Sequence, residues 1–186
     1  LQRTVATAQF FVSGAFPGCD VAVTHQDAMG SMDPVFNPVI ANDSAEFKKS
    51  ALQEMSAADK QQQPQLQGAY SELSKVVDFS TSPLCKGKDK CALGSQSDTF
   101  SLDKGKEPSV NGPLKIGNAL VDAFTLQYYQ GFPADQVAWG KIKTPEQWKA
   151  LSEIKNAYQN ILFTTPQVAR DVAAPLVDYI RSQLID

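Results

Sequence analysis

The chain has 186 residues, 42% of them apolar and 20% charged, and its 17 basic and 20 acidic side chains leave a net charge of −3. These proportions exclude disordered, collagenous and coiled-coil chains, and the Lys86, Lys88, Lys90 cluster is too short a basic stripe for a nucleic-acid-binding protein. No apolar run approaches the roughly 18 residues of a membrane span, so no membrane partner is expected, and the length suits one domain or two small ones.

Taken in chain order, residues 3–13 carry the spacing of a short amphipathic helix, closed by Gly14 and the turn Phe16-Pro17-Gly18. Asp20 to Thr24 alternates and is rich in β-branched residues, which predicts a strand. From Gln26 to Asp43 the prolines Pro34 and Pro38, each after a turn former, predict an irregular connection. Asp43 with Glu46 has capping-box spacing and opens a helix whose face is Phe47, Ala51, Met55 and Ala58. That helix is expected to stop before Pro64, with Gln61-Gln62-Gln63 as a polar loop, and a second helix to run from Leu66 to Phe79. Lys86 to Asn111 is Gly-, Ser- and Lys-rich and predicts an irregular or hairpin segment. Pro113 opens a helix with Leu114, Leu120, Val121, Phe124 and Tyr128 on its face, stopped by Gly131. Thr144-Pro145-Glu146-Gln147 is a strong helix start, and Trp148, Leu151, Ile154, Tyr158 and Ile161 form the buried face behind it. Thr165-Pro166 repeats the signal for a last helix carrying Leu176, Val177, Ile180 and Leu184, with a bend expected at Pro175. The fold class is therefore mainly α, with one early strand.

Both ends fall close to periodic segments. This is expected of a piece cut from a longer polypeptide, and a processed mature chain has the same appearance. The cysteines are three. Cys85 and Cys91 flank a short loop with Gly87 at its centre, which a local disulfide would close with an entropic stabilisation of about 2–2.5 kcal/mol. Cys19 is left over, so its partner is expected outside the chain, and three free thiols in a reducing compartment is the other reading. No CxxC spacing occurs and the only histidine, His25, is remote from the cysteines, so no metal site is expected.

Residue types alone offer little chemistry. There is no G-x-S-x-G, P-loop, G-x-G-x-x-G or HExxH motif, and Trp139 and Trp148 read as packing residues. The runs LQRTVATAQFF, GAFPGCD, MDPVFNPV, GNALVDAFTLQYY, DQVAWG and TPQVAR carry more. On these the chain resembles, from first residue to last, the bacterial histidine acid phosphatases. Within that family it is more similar to the periplasmic enterobacterial branch that hydrolyses glucose 1-phosphate than to the phytase branch.

The resemblance implies an α/β domain joined to a smaller helical one. Residues 1–40 would be a fragment of the α/β domain, residues 41–165 the helical cap domain with the Cys85–Cys91 loop, and residues 166–186 a terminal helix returning to the α/β domain. It also implies a metal-free and cofactor-free reaction. The histidine of an R-H-G/N-x-R-x-P motif attacks phosphorus, and the Asp of an H-D pair protonates the leaving oxygen. Neither motif occurs here, and His25 is followed by Gln26. No catalytic residue is therefore expected in this segment, which should be inactive alone. Arg3, on the helix that starts Arg3-Thr4, is implied as a phosphate ligand. Asp122 and Glu107 are implied as candidates lining the substrate pocket, Glu107 as a carboxylate that repels polyphosphorylated inositol. The ends that would pack on missing strands are expected to dimerise. The alternative is a stand-alone, non-catalytic helical binding module.

Overall fold

The computed structural model describes residues 2–25, 33, 35–87 and 91–185. It is mainly helical. Among the described residues there are five α-helices, Gln2–Ala15 (α1), Ala45–Val76 (α2), Pro113–Tyr129 (α3), Pro145–Phe163 (α4) and Pro166–Leu184 (α5), and one hairpin, Thr99–Ser101 (β1) with Ser109–Asn111 (β2).

The core lies where α2, α3 and α4 meet. Leu151, Ile154, Ala157, Ile161 and Leu162 of α4 face Phe47, Ala51, Met55, Leu66, Tyr70 and Leu73 of α2 and Leu114, Val121 and Phe124 of α3. The stripe on α2 recurs every three or four residues from Phe47 through Asp59 to Val76, so one helix keeps it facing one way. That explains the first departure from expectation: α2 does not stop before Pro64 but runs through it, and Gln61, Gln62 and Gln63 are helical. The proline forfeits one backbone bond at a cost of about 3 kcal/mol. Burial of the side chains on either side of it offsets that cost.

The start of α2 also differs from expectation by one residue. Ser44 is the cap, its hydroxyl accepting from the Phe47 N–H at 3.2 Å. Asp43 instead pairs with Lys48 at 2.6 Å, and that ammonium holds the Asp43 carboxyl below its ordinary range. At α4 the Thr144–Gln147 capping box is present in full.

Asp20–Thr24 does not form a strand. A strand needs a neighbour to satisfy its backbone groups, and none lies beside this stretch among the described residues. The expected turn around Met32 and Pro34 lies outside the described residues. Beyond it, Ile40 is buried and joins the hairpin loop: its N–H donates to Lys106 O at 2.9 Å and its carbonyl accepts from the Gly105 N–H at 2.8 Å. In the hairpin Phe100 faces Val110, and Val110 enters the core. Cys85 and Cys91 are bonded, with Cα atoms 5.4 Å apart, and Cys19 is exposed and free.

Two helices hang off this core. α1 buries none of its residues, leaving Phe10 78% and Phe11 65% exposed. α5 is anchored at its start. Gln167 donates to Ser50 and, at 3.0 Å, to Glu54, and the Asp171 carboxylate accepts from the Ala41 and Asn42 N–H groups at 2.7 and 3.1 Å. It continues through Pro175 as one helix, and its apolar side, including Val177, Ile180 and Leu184, faces solvent.

Candidate functional site

Arg3 lies in the first turn of α1 and is exposed; its carbonyl accepts from the Thr7 hydroxyl at 2.9 Å. A guanidinium held at a helix start is suited to a tetrahedral oxyanion, because its fork of N–H groups and the unsatisfied backbone amides point the same way. His25 is exposed and borders α1, sharing a small apolar groove with Val5, Ala6 and Gln9.

Asp122 and Glu107 lie elsewhere, and each acts on a residue of α4. Asp122 projects from the middle of α3, and its Oδ1 lies 2.5 Å from the Lys155 ammonium of α4, with 47% and 38% of the two side chains exposed. Lys155 and Tyr158 are three residues apart and share a face of the helix. Tyr158 is half-buried, and its phenol is pushed up by burial first and by the Glu107 charge second. The Glu107 charge is therefore felt at that phenol. The position of Glu107 is fixed by the Ile40–Lys106 backbone bond one residue earlier. Glu107, Tyr158, Lys155 and Asp122 are taken together as the candidate rim. At the other end of the α3–α4 seam Tyr128 meets Trp148 with ring centroids 6.1 Å apart.

Among the described residues no side-chain contact joins Arg3 to this rim. A groove of about 550 Å³ is bordered by Gln67, Ser74, Lys75, Asp78, Ala92 and Ser95, and none of the three expected site residues lines it. No group of three or more His, Cys, Asp or Glu side chains is arranged to hold a metal ion among the described residues.

Two residues of this neighbourhood were not legible as site residues. Lys155 carries no motif, and its pairing with Asp122 spans 33 residues of sequence. Tyr158 reads as core in the helical pattern. Trp139, expected as packing, is 65% exposed and rests edge-to-face on Phe124 at 5.8 Å. It and Ala138 adopt left-handed backbone with φ of 55° and 48°. That strain costs about 1–2 kcal/mol per residue. The Gln127 side chain, accepting from the Ala138 N–H at 3.0 Å, holds the turn in place.

No family model matches the chain. It is 59% identical over 185 residues to a glucose-1-phosphatase of Salmonella typhimurium, covering 100% of this chain and 44% of that protein. It is 54% identical over 180 residues to a glucose-1-phosphatase of Providencia rettgeri, covering 97% of this chain and 43% of that one. The structure of a Hafnia alvei phytase in complex with myo-inositol hexakis sulphate superposes with a TM-score of 0.78 at 29% identity, over 100% of this chain and 46% of that one. The chain thus spans less than half the length of the curated relatives it matches.

Proposed function

The chain belongs to the histidine acid phosphatase family, and on that premise we propose that it is a segment of a periplasmic acid phosphomonoesterase that hydrolyses glucose 1-phosphate through a phosphohistidine intermediate. The observation that carries this reading is the 59% identity, sustained over 185 residues, to a glucose-1-phosphatase. In this reading the attacking histidine and the proton donor belong to the family's R-H-G/N-x-R-x-P and H-D motifs, in parts of the polypeptide outside these 186 residues. Residues 41–165 form the cap over the substrate, and the two flanking stretches belong to the α/β domain.

Three side chains then have separate roles. Arg3 holds phosphoryl oxygens as charge builds on them in the transition state, where a fixed guanidinium is worth most. The exposed face of α1 leaves that guanidinium accessible to the rest of the polypeptide. Asp122 and Glu107 stand at the rim that receives the sugar. A carboxylate accepts hydrogen bonds from sugar hydroxyls and repels additional phosphates, so the rim favours a monophosphate over a polyphosphorylated ring.

The test is phosphate release from glucose 1-phosphate at about pH 4–6, measured on the 186-residue chain, on the complete polypeptide and on its Arg3→Ala variant. We expect turnover by the complete polypeptide, none by the chain alone, and a loss of about 3–4 kcal/mol of transition-state stabilisation in the variant. Turnover by the purified chain, or a complete polypeptide indifferent to Arg3→Ala, would overturn the assignment.

A further inference from the structure

The rim contains a cation that no sequence motif marks. Lys155 lies 2.5 Å from Asp122, so its ammonium is committed to a carboxylate across the α3–α4 seam. Neither side chain is buried: both keep more than a third of their surface in solvent, enough to meet a ligand. The charge of Glu107 acts on Tyr158, one helical step along α4 from Lys155, and Glu107 has no cationic partner among the described residues. With the pair neutralised internally, the charge this rim presents is that of Glu107 alone.

Resting on the reading of this rim as the sugar-facing one, we propose that Lys155 is a specificity-determining residue, and that its pairing with Asp122 withholds a positive charge from any phosphate beyond the one being transferred. The chemistry is a competition for one ammonium. A sugar monophosphate brings only hydroxyls to the rim, and the second oxygen of Asp122 remains to accept from them. A polyphosphorylated ring brings dianions, which bind well only where unpaired cations await them. An unpaired Lys155 would be such a cation. Bound to Asp122 at 2.5 Å it is not, and a phosphate would have to break the pair and approach the carboxylate. The pair thus discriminates by what it keeps unavailable rather than by a contact it makes. Lysine suits this role because its compact ammonium is satisfied by one carboxylate, whereas an arginine fork would leave donors pointing outward.

The experiment uses the complete polypeptide and two substrates, glucose 1-phosphate and myo-inositol hexakisphosphate, with the ratio of their kcat/KM values as the readout. Asp122→Asn releases Lys155 and should raise the ratio in favour of the hexakisphosphate by about tenfold, an effect that shrinks at high salt. Lys155→Gln releases Asp122 and should lower the ratio, while Lys155→Arg, whose fork keeps donors pointing outward beyond the pair, should raise it by less than Asp122→Asn does. A merely structural role would change both substrates by one common factor, and an unmoved ratio in Asp122→Asn and Lys155→Gln would overturn the proposal. Circular dichroism identifies a variant that has failed to fold. Calorimetric binding of myo-inositol hexakis sulphate supplies a readout that needs no turnover: Asp122→Asn should bind it about five- to tenfold more tightly than wild type, and equal affinities would refute the charge lock. Failure of the broader functional reading looks different, as an unmodified complete polypeptide that does not hydrolyse glucose 1-phosphate.

Discussion

Asp98 is a partly buried carboxylate with only one of its oxygens hydrogen-bonded. Its Oδ1 accepts from the Leu114 N–H at 3.0 Å, so it caps the first turn of α3 from outside the helix. Its Oδ2 is buried without a partner, as is the Tyr70 hydroxyl, and the charge on Asp98 acts on that phenol. Burial raises the Asp98 carboxyl to about 6, the nearby Asp59 adding to the rise and the Leu114 N–H opposing it. Because the folded chain prefers Asp98 protonated, this contribution to stability is complete only well below the ordinary carboxyl value of about 3.9, is lost as the pH rises from there through about 6, and above that the loss is constant. Asp98→Asn keeps an oxygen for Leu114 and removes the titration. The stability difference between variant and wild type should therefore shift in the variant's favour as the pH climbs over that interval and then level off. Urea denaturation of both proteins at successive pH values checks it, and a difference independent of pH would contradict the assignment. Nothing in the sequence distinguishes Asp98 from the other polar residues of its Gly- and Ser-rich stretch. Its role depends on a helix that begins fifteen residues later, at Pro113. The same limit hid Lys155, since periodicity reports which face of one helix a residue occupies and not what crosses to it from another.

At the level of elements, the helix starts were the most legible features. A cap is local chemistry, and Thr144 with Gln147, or Pro113 and Pro166 at first-turn positions, needs no tertiary information. Pro64 and Asp20–Thr24 mark the converse. The proline signal is a real local cost that the packing of α2 overrides, and the alternation of a strand has no meaning without a partner to pair with. The α3–α4 contact supplies a sharper test of packing. Gly117 faces Ile154, and a Cβ added there would lie 2.7 Å from Ile154 Cγ2. Both residues are in rigid, buried helix faces, so relief requires the helices to part or Ile154 to leave its rotamer. Gly117→Ala gains about 1 kcal/mol of helix propensity and loses about 1–3 kcal/mol to overpacking. We expect a net destabilisation, read as a lower denaturation midpoint with an unchanged m-value. A variant as stable as the parent would mean that the seam has slack. Because the Asp122–Lys155 pair bridges the same two helices, widening the seam should also loosen the rim.

For the molecule as a whole, the imbalance is between a well-filled centre and two uncovered helices. Phe10 and Phe11 on α1, and Val177, Ile180 and Leu184 on α5, expose more apolar surface than a small monomer usually tolerates. The isolated chain is therefore expected to self-associate. Sedimentation velocity should show a concentration-dependent species, and Phe10→Lys together with Ile180→Lys should restore the monomer. A wild-type chain that stays monomeric throughout the accessible concentrations would argue that these helices find cover within the chain. The length of α2 bears on the molecule in another way. Its 32 residues, at 1.5 Å each, make a rod of about 48 Å. One end is fastened to α5 through Gln167 at Ser50 and Glu54; just past the other, Asp78 is fastened to Lys141 at 2.9 Å. Mechanically it is a beam seated along its core-facing stripe, with a polar contact near each end. Tilting such a beam by about 5° about one end swings the other by about 4 Å, so a small tilt where α5 meets it is levered into a visible stroke beside the segment before α4.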